Sequence, residues 1–376
     1  MKKLVLLMSV LLGVGSSLVS QNVNRVKKPE MLRNQGRKEI RLPQVEGYEI
    51  LKCDFHIHTV FSDGNVWPTV RVKEAWHEGL DAIAITDHIE YRPHKKYLTK
   101  DFNSSYEIAK PEAERLNILL VRGGEITRKM PPGHMNALFL SDVNKIDQSN
   151  FMKAMEEANK QGAFVIWNHP GWKAQQPDTT KWWPVHDELY EKDWLHGIEV
   201  FGYDDYCPIA SEWCMQKQLS YIGCTDVHNS TGYAFDLSRY YRPMTLVFAK
   251  ERSMEGLRQA MFDRRSVAFF GDELAGPEAL LRHLFEASVV VKAPFRVHKG
   301  KIYFEISNPT DLMIRLENKV AGLNAPDVID LMPGNTVIVS CDDKKGVIEL
   351  PYEVSNWHIG MQQNLEVQIE VLNNID

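Results

Sequence analysis

The chain reads as an α/β protein in which a closed or nearly closed barrel of β/α units precedes a small all-β domain. Three features of its 376 residues carry that reading. Short apolar runs alternate with helical stretches from Glu49 to Phe270, the pattern of parallel β/α units. About seven such repeats fall within roughly 240 residues, which favours a barrel over an open sheet. Beyond Lys292 the texture changes to short alternating runs broken by Asn-Pro, Pro-Gly and Asp-Asp-Lys-Lys-Gly turns.

The elements follow in order from the N-terminus. Lys2 and Lys3 precede an apolar stretch from Leu4 to Val14 and then small residues up to Ser20, the order of a secretory signal over residues 1–20. The stretch is too short and too broken for a membrane span, so the expected product is exported, periplasmic or secreted, with no span once the signal is removed. Residues 21–47 are basic and aperiodic and read as an arm. Expected strands are Ile50–Phe55, Ala82–Thr86, Ile118–Val121, Asn136–Leu140, Phe164–Trp167, Gly197–Val200, Ile222–Cys224, Thr245–Ala249 and Val267–Phe270. Expected helices are Val70–Gly79, Tyr106–Leu116, Phe151–Lys160 and Met254–Asp263. A barrel domain over 48–290 and a β-sandwich-like domain over 293–373 result. The second shows no catalytic cluster and reads as a packing or oligomerisation module.

Composition excludes several functions. The formal charge of −6 comes from 44 basic and 50 acidic residues, and loss of Lys2 and Lys3 makes it −8. A long nucleic-acid groove needs a basic footprint that this chain lacks. An anionic substrate must therefore be attracted locally, by a metal or a few cations. The five cysteines have no zinc-finger spacing, although Cys207 and Cys214 could pair in an oxidising compartment.

Chemistry collects at the strand ends. Asp54-Phe55-His56-Ile57-His58 closes the first strand, and residues two apart share a face, so His56 and His58 can point at one ion. A lone pair of this kind also occurs on wet sheet faces. Asp63 sits in a turn where it would serve equally as a helix cap. Thr86-Asp87-His88, Gly124-Glu125, Gly133-His134, Asn168-His169-Pro170 and Thr225-Asp226-Val227-His228 each adjoin a further strand. Singly, each has a structural reading: His169 before Pro170 as a turn residue, Glu199 as a partner for a buried cation. Jointly, six of thirteen histidines would have to reach barrel-rim positions by chance. Imidazole and carboxylate ligands of this mixture suit Zn²⁺, Mn²⁺ or Fe²⁺.

The ordered set Asp54–His58, Ser62-Asp63-Gly64, Thr86-Asp87-His88, Gly124-Glu125, Gly133-His134, His169-Pro170 and Asp226-Val227-His228 resembles the PHP (polymerase and histidinol phosphatase) superfamily over about residues 50–270. The resemblance implies a distorted (β/α)7 barrel holding two or three divalent ions and hydrolysing phosphate esters with a metal-activated water. An exported chain with an added C-terminal domain looks like the secreted phosphodiesterase-like branch. The implied first ion is held by His56, His58, Glu125 and Asp226, the second by Glu125, His134 and His169, and the third by Asp63, His88 and His228. Many relatives carry histidine at the Asp63 position. Asp87 is expected to orient a ligand histidine, Glu125 to bridge two ions, and Glu199 to stay structural or to support a ligand from behind. Arg128 is the first candidate to clamp substrate phosphate, with Lys129, Lys173, Arg239 and Arg242 as further cations. Trp167, Trp172, Trp182, Trp183 and Tyr203 would wall the leaving group. The expected partner is a small phosphate ester, as diester or as sugar or amino-alcohol monoester, and a binding protein with an inactive barrel is the reading from a different class.

Overall fold

Four- to eight-residue runs of Ala, Val, Ile and Phe between polar turns have room for a strand and for little else. The computed structural model describes residues 36–319 and 324–374, so the expected signal and most of the arm lie outside the described residues. The first half of the chain gives β1 (Glu49–Asp54), α1 (Pro68–His77), β2 (Ala82–Ile85), α2 (Ser104–Leu116), β3 (Leu119–Ile126) and β4 (Met135–Leu138). Then follow α3 (Phe151–Lys160), β5 (Phe164–Trp167), α4 (Pro184–Glu191), β6 (Gly197–Gly202), β7 (Asp205–Tyr206), α5 (Pro208–Lys217) and β8 (Ser220–Cys224). The barrel region ends with α6 (Thr231–Ala234), β9 (Met244–Ala249), α7 (Met254–Phe262), β10 (Ser266–Phe270), β11 (Glu273–Ala275) and α8 (Glu278–Ser288). Helix starts follow ordinary capping chemistry: Pro68 occupies the first turn of α1, and Asn150 and Ser253 accept from Lys153 N and Gly256 N at α3 and α7.

Strands β1, β2 and β3 are parallel to one another, as are β5, β6 and β8. Between the two sets β4 runs antiparallel to both β3 and β5. A sheet of parallel units alone would leave the start of β4 at the far end of the barrel. Its reversal brings that start to the end where its neighbours finish. The ring closes there through a parallel bridge between Ile57 and Val227, supported by Asp226 N donating to His56 O at 2.9 Å and His58 N to Val227 O at 3.1 Å. Lower down, β9 pairs antiparallel with β1 and β10 with β9.

The C-terminal part comprises β12 (Val290–Val291), β13 (Arg296–His298), β14 (Lys301–Asn308), β15 (Ile314–Asn318), β16 (Val328–Leu331), β17 (Asn335–Asp342), β18 (Gly346–Gly360) and β19 (Gln363–Asn373). One of its sheets joins β12, β13, β14 and β17, while the other joins β15, β16, β18 and β19. The second sheet is continuous with the barrel, because β11 pairs in parallel with β18 at Leu274–Trp357 and Ala275–His358. The arm adds a further tie. Lys38 N donates to His77 O, and Arg41 Nε and Nη2 both reach Asp311 Oδ1, at 2.9 and 2.6 Å. Cys207 and Cys214 remain free thiols.

Trp357 is wholly buried where the two regions meet, and its indole Nε1 donates to Met313 O at 3.0 Å. A shared sheet and a shared core should melt together. Trp357→Ala is therefore expected to lower the unfolding free energy by about 3–5 kcal/mol in a single cooperative urea transition. An early C-terminal transition that leaves the barrel's midpoint unmoved would contradict this.

Candidate metal centre

Strand direction places the chemistry. His56 and His58 extend β1, His88 follows β2, Glu125 is the penultimate residue of β3, His169 follows β5, and Asp226 and His228 follow β8. His134 precedes β4 rather than following it, and the reversal of that strand puts it at the same mouth. Asp63 comes from the turn after β1, where Gly64 is required because a Cβ there would sit 2.8 Å from His58 backbone carbon. All nine expected ligands converge.

At the centre is Glu125, fully buried. Its carboxylate oxygens lie 3.6 Å from His56 Nε2, 3.6 Å from His58 Nε2, 2.5 Å from His88 Nδ1, 2.9 Å from His134 Nδ1 and 3.8 Å from His169 Nε2. Asp226 Oδ1 faces His58 Nε2 at 2.9 Å and His56 Nε2 at 3.2 Å. Asp63 Oδ1 is 3.2 Å from His228 Nε2 and 3.6 Å from His88 Nε2. Four overlapping groups bring their ligand atoms within 4.8 Å of one another: His58, Asp63, His88 and His228; His56, His58 and Glu125; His56, His169 and Asp226; and His88, Glu125 and His134. The expected third set thus gains His58. His169 stands with His56 and Asp226, while His88 joins Glu125 and His134.

These atoms are close without bonding one another. His56 Nε2, His58 Nε2, Glu125 Oε2, Asp63 Oδ1 and His134 Nδ1 are buried and have no partner in hydrogen-bond geometry. Buried polar atoms without partners are costly, and five of them aimed at one small region fit divalent cations. Charge agrees. Burial alone would raise the Glu125 carboxyl, but His88, His56 and the contacts from His134 and His169 hold it well below the usual carboxylate range. Burial likewise opposes ionisation of Asp226, and His56 and His58 overcome it. Burial lowers His56, His88, His169 and His228, but the carboxylates facing them win and raise each above its ordinary value. His58, buried beside His88, is instead pushed down to about 4.

The surroundings hold the ligands in place. Glu199 bridges two of them, its Oε1 2.6 Å from His56 Nδ1 and its Oε2 accepting from His169 N at 2.7 Å. That is the support from behind a ligand that fixes an imidazole's orientation. Asn168 donates from Nδ2 to Glu125 Oε1 at 2.9 Å. Asp87 accepts from Thr59 N, Thr59 Oγ1 and Ser62 Oγ, and Ser62 Oγ lies 3.3 Å from His58 Nδ1, so Asp87 acts on a ligand through the turn. Arg71 is buried in α1. It donates to the carbonyls of His58, Val227, His228 and Asn229 at 2.7–3.0 Å, bolting together the two loops that carry His58 and His228. His169 (φ 30°) and Asp226 (φ 50°) both adopt left-handed backbone, a cost of about 1–3 kcal/mol each that the site imposes.

Four of the five expected cations, Arg128, Lys129, Arg239 and Arg242, do not line the cavity in front of the cluster. Arg128 does not face the site: its guanidinium pairs with Glu90 and donates to the carbonyls of Thr127 and Gln148. The sequence offered the charge without the acidic partner 38 residues earlier that turns it aside. Arg242 is buried against Asp54 and Glu78. Only Lys173, of the named cations, lines the cavity of about 1130 Å³ in front of the cluster. Trp172 and Tyr203 line it too, whereas Trp167 is buried in a stack with His186 and Trp213. Arg71 leaves no signal in the sequence, since a helix-face arginine carries no recognisable spacing; Asn168 stands beside His169 in a strand-end motif, but nothing local marks it as a partner of Glu125.

Imidazoles raised by neighbouring carboxylates must lose protons when they bind a cation. Zn²⁺ titrated into the apoprotein is expected to release protons, with heats that scale with buffer ionisation enthalpy and affinity that rises from about pH 6 to pH 8. Affinity that falls over this interval would contradict the assignment. Arg71→Ala frees the His58 and His228 loops, and elemental analysis should then find about one equivalent of metal fewer than in the wild type.

Comparison with known proteins agrees with this geometry. A family model for the PHP domain matches residues 54–198, and one for an Ig-like domain matches residues 289–370. The fold superposes with a TM-score of 0.86 on a two-domain protein of Bacteroides vulgatus containing a predicted PHP-like metal-dependent phosphoesterase. Identity is 45%, over 90% of this chain and 100% of that one. An uncharacterised protein of Methanocaldococcus jannaschii is 38% identical over 84 residues, which span 22% of this chain and 36% of that relative's length. With the strand-end ligands in place and a relative matched along its whole length, the chain belongs to the PHP family.

Proposed function

We propose that the protein is an exported metal-dependent phosphoesterase that cleaves phosphodiesters. The observation that carries this reading is the convergence of His56, His58, Asp63, His88, Glu125, His134, His169, Asp226 and His228 with buried ligand atoms left unpaired. Bound Zn²⁺, Mn²⁺ or Fe²⁺, two or three in number, would supply Lewis acidity toward the phosphoryl oxygens and lower the pKa of water. The chain's own groups provide the rest. Glu125 presents both carboxylate oxygens to the centre, and Glu199 and Asp87 hold His56 and His58 in orientation. Lys173 brings an ammonium to the cavity for a phosphate oxygen, the role that Arg128 cannot fill.

One feature favours a diester over a monoester: a cavity of about 1130 Å³ leaves room beyond the phosphate for a second ester group. The full ligand set speaks against an inactive binding barrel. Export rests on the charged-then-apolar-then-small N-terminal segment. No helix among the described residues is long and apolar enough to cross a membrane.

Chelation followed by verified metal removal should abolish turnover of bis(p-nitrophenyl) phosphate, and readdition of the ion should restore it. Glu125→Gln should lower kcat/KM by about a hundredfold or more. Undiminished turnover by metal-free protein would refute the reading. Faster turnover of p-nitrophenyl phosphate than of the bis-ester would move it to a monoesterase. N-terminal sequencing of the exported fraction should begin near Gln21.

A further inference from the structure

The wall of the cavity is unlike its floor. Four large apolar side chains ring its mouth about half exposed: Tyr91 at 55%, Trp172 at 46%, Tyr203 at 45% and Met361 at 45%. Single exposed apolar residues are unremarkable, but four around one cavity mark a surface kept for an apolar ligand. Two of the four abut the ligand cluster directly. Trp172 packs edge-on against His134 and His169, at centroid distances of 5.7 and 5.3 Å, and Tyr91 against His88 at 6.0 Å. A group esterified to a phosphate held at the cluster would have these rings within reach.

Met361 comes from the C-terminal domain, at the tip of the β18–β19 hairpin, and the barrel holds that tip firmly. Met361 N donates to Glu212 Oε2 at 3.0 Å, and buried Tyr221 Oη donates to Ile359 O at 2.6 Å. His358 stacks on Tyr206 at 4.8 Å, itself a residue of the cavity wall. The hairpin is thus placed as an element of the site and not only as packing.

We propose that one ester group of the substrate is bulky and apolar or aromatic, and that Met361 of the C-terminal domain, with Trp172 and Tyr203, forms its subsite. The inference rests on the phosphoesterase reading for the position of the phosphate and adds the chemical class of what is attached to it. The C-terminal domain becomes a specificity element. Carbon–phosphorus analogues that resist hydrolysis separate the two ideas, because their binding is measured without turnover. Calorimetry on the metal-loaded full chain should show 1-naphthylmethylphosphonate binding at least tenfold tighter than methylphosphonate. Met361→Asp and Trp172→Ala should each cut that preference at least fivefold, the loss falling on the naphthyl ligand. Both positions are half exposed, and Met361→Ala, expected to give a smaller loss in the same direction, guards against a local folding effect. Equal affinities for the two ligands, or a preference that survives all three substitutions, would overturn the subsite. Retained preference in the wild type without turnover of any phosphate ester would count against the phosphoesterase reading and uphold the subsite.

Discussion

A carboxylate with no solvent exposure can stay ionised only where opposite charge is close at hand, and Glu125 sits in such a place with five imidazoles around it. Neutral imidazoles satisfy its charge poorly, and imidazolium ions packed this closely would repel one another. Divalent cations resolve both problems, because each accepts a nitrogen lone pair and a carboxylate oxygen together. The unpaired buried atoms, the overlapping groups of ligands and the left-handed backbone at His169 and Asp226 are separate consequences of this one demand.

Much of the fold can be understood as the means of meeting it. Parallel strands deliver side chains from the ends of β1, β2, β3, β5 and β8 to one mouth, and the reversed β4 delivers His134 by its beginning. Behind them a buried layer of charge ties strand to strand. Asp54 accepts from Thr225 and pairs with Arg242, and Arg71 gathers four carbonyls from the loops that bear His58 and His228. The sheet then runs on through β11 into β18, so that a hairpin far along the chain returns to the rim. Residues remote from the ions thereby share control of their geometry and of what approaches them.

Eight of the nine ligands were visible as candidates because they adjoin apolar runs, and strand ends survive errors of a residue or two in their boundaries; Asp63, in a turn, and the grouping of the nine into a ligand set came from the resemblance to the PHP superfamily. Helix α3 was legible in full, since Ala154, Met155 and Ala158 mark a clear buried face. Helix α5 was not, because its buried face of Ala210, Ser211, Trp213 and Cys214 carries little apolar contrast. The longest strand, β18, was hidden by Pro351 and by the polar run around Asn356. Arg128 failed for a different reason: its charge was visible, but the fold alone shows that Glu90 turns it away. Contacts that depend on distant partners, Arg71 and Met361 among them, leave no local pattern to read.

Anomalous X-ray diffraction from crystals grown with a divalent transition metal tests whether these side chains hold metal ions. Two or three anomalous peaks should lie among the nine ligands, each about 2.0–2.2 Å from imidazole nitrogens and carboxylate oxygens. A cluster without anomalous density in crystals soaked at saturating metal, with the nine side chains hydrogen-bonded to water and to each other instead, would rule out a metal centre here.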